Sequence, residues 1–264
     1  MRIGILGGTG PAGSALAARL ASIGYPVVIG SRSKYRAMEA RDGMVGKWPA
    51  LESLLSYGDN AAAADCDMVV IATPWDSAAT TAQENNAALE GKVVVSMANA
   101  LVRVGHEFQP LVPPRGSVAA HVQAAVPRCR VVAAFHHLPA TELGNLGEPI
   151  DSDVLICGDD PAAVLVISDI VTKIPGCRPL DAGELSNATA IEAFTAVLLQ
   201  LNVRYKTRVA PKLTGIKRDP RAPKEPAAAG PNAPAEPKAA EPAAAGPKAA
   251  GPKAAEPSEA VSKV

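Results

Sequence analysis

The sequence has few aromatic residues, no net charge and no regular spacing among its cysteines. Phenylalanine, tryptophan and tyrosine make up 3% of the 264 residues, and 26 basic side chains balance 26 acidic ones. Without a basic excess there is no electrostatic argument for nucleic acid as the main partner. The four dispersed cysteines are expected to be reduced, buried thiols rather than disulfides or metal ligands. We therefore predict a cytoplasmic protein without a metal site.

Long hydrophobic runs are missing as well. No apolar stretch approaches the roughly 18 residues that cross a membrane. Met1 and Arg2 lead directly into a strand-like run instead of a signal peptide. We expect neither a membrane span nor a secretion signal.

Residues 217–264 contain almost no large apolar side chains. Proline recurs there every three to five residues among alanine, lysine and glutamate, which prevents a helix. Such a segment buries too little apolar surface to offset its ordering entropy. We predict a disordered Ala/Pro/Lys tail, and a weak docking or nucleic-acid-binding extension is the alternative.

A glycine-rich turn separates the first strand-like run from a helical stretch and follows a G-x-G-x-x-G pattern. In dinucleotide-binding units the first glycine permits the tight turn, the second lets a diphosphate approach the backbone, and the third lets helix and strand pack closely. Proline suits the helix start because its missing N–H would have no partner there, and the remaining N–H groups face the anion. The residues predicted to bind the dinucleotide here are Gly8, Thr9, Gly10, Pro11, Ala12 and Gly13.

Short β-branched runs alternate with helical stretches up to about residue 216. Strands are predicted at 2–6, 26–30, 68–72, 93–96, 131–134 and 154–157. Continuous apolar runs are typical of parallel strands covered on both faces. We predict an α/β fold: a Rossmann-type doubly wound parallel sheet over 1–150 and a small C-terminal α/β extension over 151–216. An apolar helix over 190–203 is expected to lie against the sheet or a partner subunit.

The end of the second predicted strand indicates which dinucleotide binds. An NAD site usually has an acidic residue there for the ribose 2′-hydroxyl, whereas this chain has Ser31 and Arg32, with Lys34 and Arg36 close behind. A guanidinium can pair bidentately with a 2′-phosphate and stack on adenine. NADP(H) is the predicted cofactor, and an ordinary basic helix start is the alternative.

Trp75 follows the predicted strand at 68–72. Strand ends in this fold open onto the ligand crevice, so Trp75 is predicted to line the dinucleotide. Simple packing is the alternative.

Five motifs occur in order: GGTGPAG, GSR, ATPW, FHHLPA, and CGDD followed by RPLDAGxLSN. Together they resemble the NADPH-dependent coenzyme F420 reductases, from residue 1 to about residue 216. The resemblance implies a Rossmann domain with a small C-terminal portion, a homodimer, and reversible hydride transfer between NADP(H) and the 5-deazaflavin coenzyme F420, with the two cofactors stacked. The tail suggests an actinobacterial member.

The resemblance also implies which residues contact the cofactors. Ser31, Arg32 and Arg36 would bind the 2′-phosphate. The nicotinamide end would lie beside Trp75 and Ala79. The residues implied for the side of the stacked deazaflavin are Asn99, Ala100, His136, Leu138 and Thr195.

This chain departs from the archaeal members of the family at four positions. Asn99 and Ala100 stand where those members have a valine–proline pair, and Thr189 and Ala193 stand where they have an arginine and a serine. The missing arginine weakens the case for a cationic contact from the last helix to F420. Three other residues could supply a basic rim for the anionic F420 tail, or form a solvated helix end: Arg204, Lys206 and Arg208.

The sequence contains no obvious nucleophile, metal cluster or carboxylate pair. Transfer between two stacked cofactors needs proximity and orientation far more than acid–base groups, so this composition agrees with the resemblance. His136, ahead of His137, could donate a hydrogen bond to a ring carbonyl and stabilise developing charge. We predict His136 as the catalytic residue, and a loop hydrogen bond is the alternative.

Two other functions are compatible with the same dinucleotide-binding half. An NADPH-dependent reductase of a small imine or keto acid needs a proton donor, and no lysine occurs between Lys92 and Lys173. A non-catalytic redox sensor would bind NADP(H) without turnover.

Overall fold

An eight-stranded sheet runs through the structure, a computed structural model that describes residues 1–216. Its spatial order is β10-β9-β8-β5-β4-β1-β2-β3, and β6 and β7 form a separate hairpin. The strands are β1 (Ile3–Leu6), β2 (Val27–Ser31), β3 (Leu55–Asp59), β4 (Met68–Ile71), β5 (Val93–Ser96), β6 (Leu101–Val104), β7 (Glu107–Pro110), β8 (Arg130–Ala133), β9 (Ser152–Gly158) and β10 (Cys177–Asp181). The tail predicted at 217–264 lies outside the described residues.

Helices cover both faces of this sheet. They are α1 (Pro11–Ser22), α2 (Lys34–Lys47), α3 (Asn60–Ala64), α4 (Trp75–Glu84), α5 (Asn86–Leu89), α6 (Val118–Ala125), α7 (Ala140–Leu143), α8 (Pro161–Lys173) and α9 (Ala188–Tyr205). Apolar side chains of α1 and α8 pack in one core cluster with Ile3 and Ile5, while α4 and α6 pack in the other with Leu6. The strands are apolar on both sides because both of their faces are covered.

The predicted Rossmann-type fold is confirmed. Strands β3, β2, β1, β4, β5 and β8 are parallel and follow the doubly wound order. Strand β9 pairs antiparallel with β8, and β10 pairs parallel with β9. The carboxyl edge of the six parallel strands is therefore also the edge at which β9 and β10 begin.

Four strands were absent from the sequence prediction. Residues 55–59 and 177–181 form the two edge strands β3 and β10. Both strands mix polar with apolar residues. Strand β10 also contains Pro179, which argues against a strand in a sequence prediction. The hairpin β6–β7 is largely exposed and turns at Gly105 with φ 61°. The predicted division at residue 150 stays a prediction, because β9 and β10 extend the same sheet.

Arg19 is a buried cation within α1 that ties this helix to a distant loop. Its guanidinium donates to the carbonyl oxygens of Leu143 at 3.0 Å, Glu142 at 3.0 Å and Asn145 at 2.6 Å. Because a buried charge without partners is costly, these carbonyls satisfy it and fix the course of the chain after α7.

Three expectations from the sequence concern the cysteines, membrane-spanning helices and metal sites. In residues 1–216 all four cysteines are free, and Cys66, Cys129 and Cys157 are buried. No helix in that range is long and apolar enough to cross a membrane. No group of three or more acidic, histidine or cysteine side chains in residues 1–216 could hold a metal ion.

Candidate functional site

The glycine turn lies between β1 and α1 at the carboxyl edge of the sheet. The left-handed residue is Gly7, with φ 74°, and not Gly8. Gly8 donates its N–H to the carbonyl of Gly30 at 2.9 Å, and a Cβ on Gly8 would lie 3.0 Å from the carbonyl oxygen of Ile5. The tight turn assigned to Gly8 is therefore made by Gly7, and Gly8 is needed for close contact with the strands.

Gly13 and Gly10 differ in what surrounds them. A Cβ on Gly13 would lie 3.0 Å from both the Cβ of Ala72 and the carbonyl oxygen of Gly7, so this glycine has the packing role expected from the motif. The nearest atom to a Cβ on Gly10 would be 3.7 Å away. Gly10 is also the N-cap of α1, and no side chain in residues 1–216 caps this helix end. The free backbone N–H groups at the start of α1 therefore remain available to an anion.

A cavity of about 220 Å³ opens beside this turn, and we call it the turn cavity. It brings together five of the predicted residues: Thr9, Gly10, Ser31, Arg32 and Arg36. The remaining members of the motif take other places. Gly8 and Gly13 pack against the strands, and Pro11 and Ala12 are exposed in the first turn of α1.

The charge around the turn cavity is positive. Ser31 is buried at the end of β2, and its Oγ accepts a hydrogen bond from the N–H of Ser33 at 3.3 Å. Ser33 caps α2 by accepting from the N–H of Arg36. Arg32 and Arg36 are exposed at this helix start, and no acidic side chain of residues 1–216 lines the cavity. A helix N-terminus with two arginines attracts a phosphate group.

The sequence did not reveal five polar residues that also line the turn cavity: Ser33, Asn60, Thr73, Ser77 and Thr81. The Oδ1 of Asn60 accepts a hydrogen bond from Gly7 N–H at 3.4 Å, and Thr73 has a buried Oγ1 without a partner among residues 1–216. Asn60 was missed because it follows β3, which was not predicted.

Trp75 and Ala79 do not line the turn cavity. Both lie on α4, where Ser77 and Thr81 share one face and Trp75 and Ala79 share another, since residues four apart are neighbours on a helix. Trp75 instead borders a small cavity with Val118 of α6. This placement supports the packing alternative.

A second cavity, of about 300 Å³, lies where β5 and β8 end, and we call it the histidine cavity. Four predicted residues line it: Asn99, His136, Leu138 and Thr195. Ala100 does not; it is 3% exposed and packs in the core. Additional lining residues that the sequence did not indicate include Asn202 and Val209.

Hydrogen bonds connect three segments of the histidine cavity. The Nδ2 of Asn99 donates to the backbone carbonyl of His136 at 2.7 Å. The hydroxyl of Thr195, on α9, donates to the Oδ1 of Asn99 at 3.3 Å. Asn99 thereby links the ends of two strands to the last helix, and its own position in the cavity is fixed.

His136 is buried and uncharged in this site. Burial, and after it the neighbouring His137, lowers the pKa of His136 to about 3. Neither ring nitrogen makes a well-formed hydrogen bond within residues 1–216, and the nearby backbone of Ala134 opposes the lowering of the pKa only weakly. The preceding Phe135 has φ 66°, a strained conformation for a bulky residue. A neutral imidazole offers one donor and one acceptor to a bound molecule.

His137 has a more structural environment. Burial lowers its pKa to about 4. Its Nε2 lies 3.2 Å from the N–H of Leu155 and 3.1 Å from the carbonyl oxygen of Asp153, both on β9. The loop interpretation therefore applies to His137, whereas both ring nitrogens of His136 are buried without a hydrogen bond within residues 1–216.

The chain is similar to proteins of one family along most of its described length. A family model described as coenzyme F420-dependent NADP oxidoreductase matches residues 2–100. An F420-dependent NADP reductase of Methanocaldococcus jannaschii is 37% identical over 222 residues, which cover 82% of this chain and 97% of that protein. A second, from Methanothermobacter marburgensis, is 31% identical over 219 residues, with 80% and 96% covered.

A solved structure agrees with this similarity. The crystal structure of a protein from Arthrobacter sp. FB24, assigned as an F420-dependent NADP reductase, superposes with a TM-score of 0.67. The two sequences are 25% identical, and the match covers 80% of this chain and all of that one.

Proposed function

Because the chain belongs to the family of F420-dependent NADP reductases, we propose that it catalyses reversible hydride transfer between NADP(H) and the deazaflavin coenzyme F420. One structural observation supports this most strongly. Two cavities open at the same edge of the sheet, one with arginines at a helix start and one with an uncharged histidine whose ring nitrogens are unpartnered within residues 1–216.

The residues of the turn cavity fit NADP(H). Gly10 leaves its side of the turn open, and the uncapped start of α1 can bind the diphosphate through backbone N–H groups. Ser31, Arg32 and Arg36 would bind the 2′-phosphate at the start of α2, where no carboxylate of the described residues competes. Trp75 is left out of this assignment because it packs against α6.

The residues of the histidine cavity fit the ring system of F420. His136 would donate to a ring carbonyl once its side chain turns toward the ligand, since burial keeps its imidazole neutral and both nitrogens are buried without a hydrogen bond within residues 1–216. Leu138 supplies an apolar surface, and Asn99 is held in place by Thr195. When both coenzymes are bound they supply the hydride donor and acceptor, so the protein contributes orientation and electrostatic stabilisation. We propose that the two rings stack directly.

The anionic tail of F420 would leave the histidine cavity toward the end of α9. Asn202 of that helix and Val209 beyond it line the cavity. Three exposed basic residues lie between and beside them in sequence: Arg204, Lys206 and Arg208. We assign these cations as the basic rim.

A turnover assay tests the proposed function. The purified full chain is mixed with NADPH and oxidised F420, and the loss of F420 absorbance is followed. Catalysed loss supports the proposal. Tight NADPH binding without any loss of F420 absorbance would contradict it and favour a redox sensor. Turnover of a small cyclic imine or keto acid in place of F420 would favour the other reductase.

We also propose a homodimer, because α9 has apolar residues on two sides. Ile191 and Leu198 are buried, whereas Phe194, Val197 and Val203 are exposed. Val197 lines a groove of about 270 Å³ that α9 forms with Phe108 of the exposed hairpin. An exposed apolar helix face of this kind is typical of protein–protein contact. Sedimentation equilibrium should give twice the chain mass, and a monomer at micromolar concentration would contradict this.

A further inference from the structure

Asp153 is a fully buried carboxylate near the start of β9, outside the two cavities. Arg178 is its direct neighbour in the register of β10. The guanidinium makes two parallel bonds to it, from Nε to Oδ1 at 2.8 Å and from Nη2 to Oδ2 at 2.6 Å. Burial raises the pKa of Asp153, but the bonds from Arg178, together with the N–H of Leu213 and the charge of Lys212, outweigh this and lower it. A buried carboxylate needs such a partner because desolvation is costly.

The same pair holds the segment that follows α9, residues 207–216, which we call the C-terminal strap. The Oδ2 of Asp153 accepts from the N–H of Leu213 at 2.6 Å, and the Nη2 of Arg178 donates to the carbonyl of Leu213 at 2.6 Å. The N–H of Asp153 donates to the carbonyl of Pro211 at 2.8 Å. The Asp153–Arg178 pair is therefore the buried part of the strap's attachment to the sheet.

The C-terminal strap forms part of the wall of the histidine cavity. Val209 of the strap lines this cavity, and its N–H donates to the Oδ1 of Asn202 at 2.6 Å, a second lining residue. The backbone carbonyl of Asp153 lies 3.1 Å from the Nε2 of His137, which also lines the cavity. Loss of the ion pair would therefore loosen the strap wall and the support of His137 together.

We propose that Asp153 and Arg178 are positioning residues for F420, which set the shape of the histidine cavity through the C-terminal strap and His137. This assignment rests on the proposed function. Neither residue lines the turn cavity, so the effect of weakening the pair should fall on F420 and spare NADP(H).

Replacement of Arg178 by lysine in the full chain tests the assignment. Lysine keeps the positive charge but cannot make two parallel bonds to one carboxylate while also reaching the carbonyl of Leu213. We expect the Kd for F420, measured by ultrafiltration without NADPH, to rise about tenfold, together with its KM. The KM for NADPH should change less than about twofold, and amide exchange of Leu213 should accelerate.

Asp151→Asn is the matched control. Asp151 pairs with Lys212 of the same strap at 2.6 Å, but the Asp151 side chain is 87% exposed and that of Lys212 is 47% exposed. Exposed ion pairs contribute little, so this variant should leave the constants for both coenzymes within about twofold of the wild type.

The constants for F420 and NADPH in these variants decide whether Asp153 and Arg178 position F420. Unchanged F420 binding in Arg178→Lys, or an equal rise of both KM values, would overturn the positioning role. If Arg178→Lys does not fold, Pro211→Gly decides instead, because it loosens the strap without removing a buried charge. It should weaken F420 binding about threefold and spare NADPH, and no selective effect would overturn the role. A wild type that binds NADPH but never turns over F420 would overturn the proposed function itself, and this assignment with it.

Discussion

The turn cavity and the histidine cavity open at the same edge of one sheet but are built differently. The helix-start side of the turn cavity depends on backbone groups of one continuous turn and on residues 31–36, and Asn60, Thr73, Ser77 and Thr81 complete its walls. The histidine cavity takes side chains from four segments far apart in sequence, at 99–101, 136–140, 195–202 and 209. A site formed by one local backbone conformation can be recognised in a short stretch of sequence. A site assembled from distant segments depends on the whole topology.

The largest effect expected from this contrast is on catalysis. His136→Phe removes the unpartnered imidazole while keeping a ring of similar size in the buried position. We expect kcat for F420 reduction to fall about 100-fold, since a donor aimed at developing charge is commonly worth this much. NADPH binding, measured by fluorescence titration, should stay unchanged. A variant with wild-type kcat would remove His136 from the reaction.

The next effect is the pH dependence of stability that His136 of the histidine cavity contributes. Unfolded histidines bind protons below a pKa of about 6.5, whereas folded His136 does so only near its pKa of about 3. The unfolded state therefore binds more protons as the pH falls from 6.5, and the stability contributed by neutral His136 is lost on the way to pH 3.

This loss should amount to about 2 kcal/mol in the free energy of unfolding between pH 7 and pH 5. Glu192, whose pKa burial raises to about 7, opposes it over the same range. Urea unfolding of wild type and His136→Phe at both pH values isolates the contribution of His136, because Glu192 and His137, whose pKa burial lowers to about 4, are common to both. An identical pH dependence of the two proteins would show that folded His136 keeps the ordinary pKa of an unfolded histidine.

A smaller effect is expected at the edge of the turn cavity. Arg32→Ala should raise the Kd for NADPH about tenfold and leave NADH almost unchanged, because one exposed charge-assisted contact to the 2′-phosphate is lost. Lys34→Ala is the control, since it removes the same charge from the start of α2 without lining the cavity. Equal losses for NADPH and NADH, or equal losses in both variants, would argue against a 2′-phosphate contact.

The smallest effect is expected at Trp75, which does not line the turn cavity. Trp75→Phe keeps an aromatic side chain in contact with α6, so both KM values should stay within about twofold of wild type. The melting temperature should drop slightly. A large rise in the KM for NADPH would return Trp75 to the cofactor site and contradict the face assignment of α4.

The parts that could be predicted from sequence are those governed by local rules. The apolar runs predict the interior strands, and the glycine turn predicts the helix start that follows it. The edge strands β3 and β10 could not be predicted in this way, because both are partly exposed and lack a continuous apolar run. The direction of β9 could not be predicted either, since an apolar strand has the same pattern in both orientations.

The same limit applies to single residues. The motif assigns a tight turn to Gly8, but the backbone needs the left-handed conformation one residue earlier, at Gly7. Ser77 and Thr81 line the turn cavity because α4 turns their face toward it. The rule that strand ends open onto the ligand crevice, which was applied to Trp75, does not specify which face of the following helix meets the cavity. Asp153 carries no motif at all, and its importance arises from Arg178 on the neighbouring strand and from a segment some sixty residues later.

Arg19 has a consequence for how this protein can be recombined. Its guanidinium reaches from the helix behind the glycine turn to the carbonyls at and after the end of α7, so a side chain early in the sequence is matched to backbone more than 120 residues later. A chimera that exchanged the first forty residues with those of a distant relative would have to bring an arginine at this position or leave several buried carbonyls without donors. The dinucleotide-binding segment therefore cannot be exchanged independently of the loop after α7, and a working chimera needs both from the same protein.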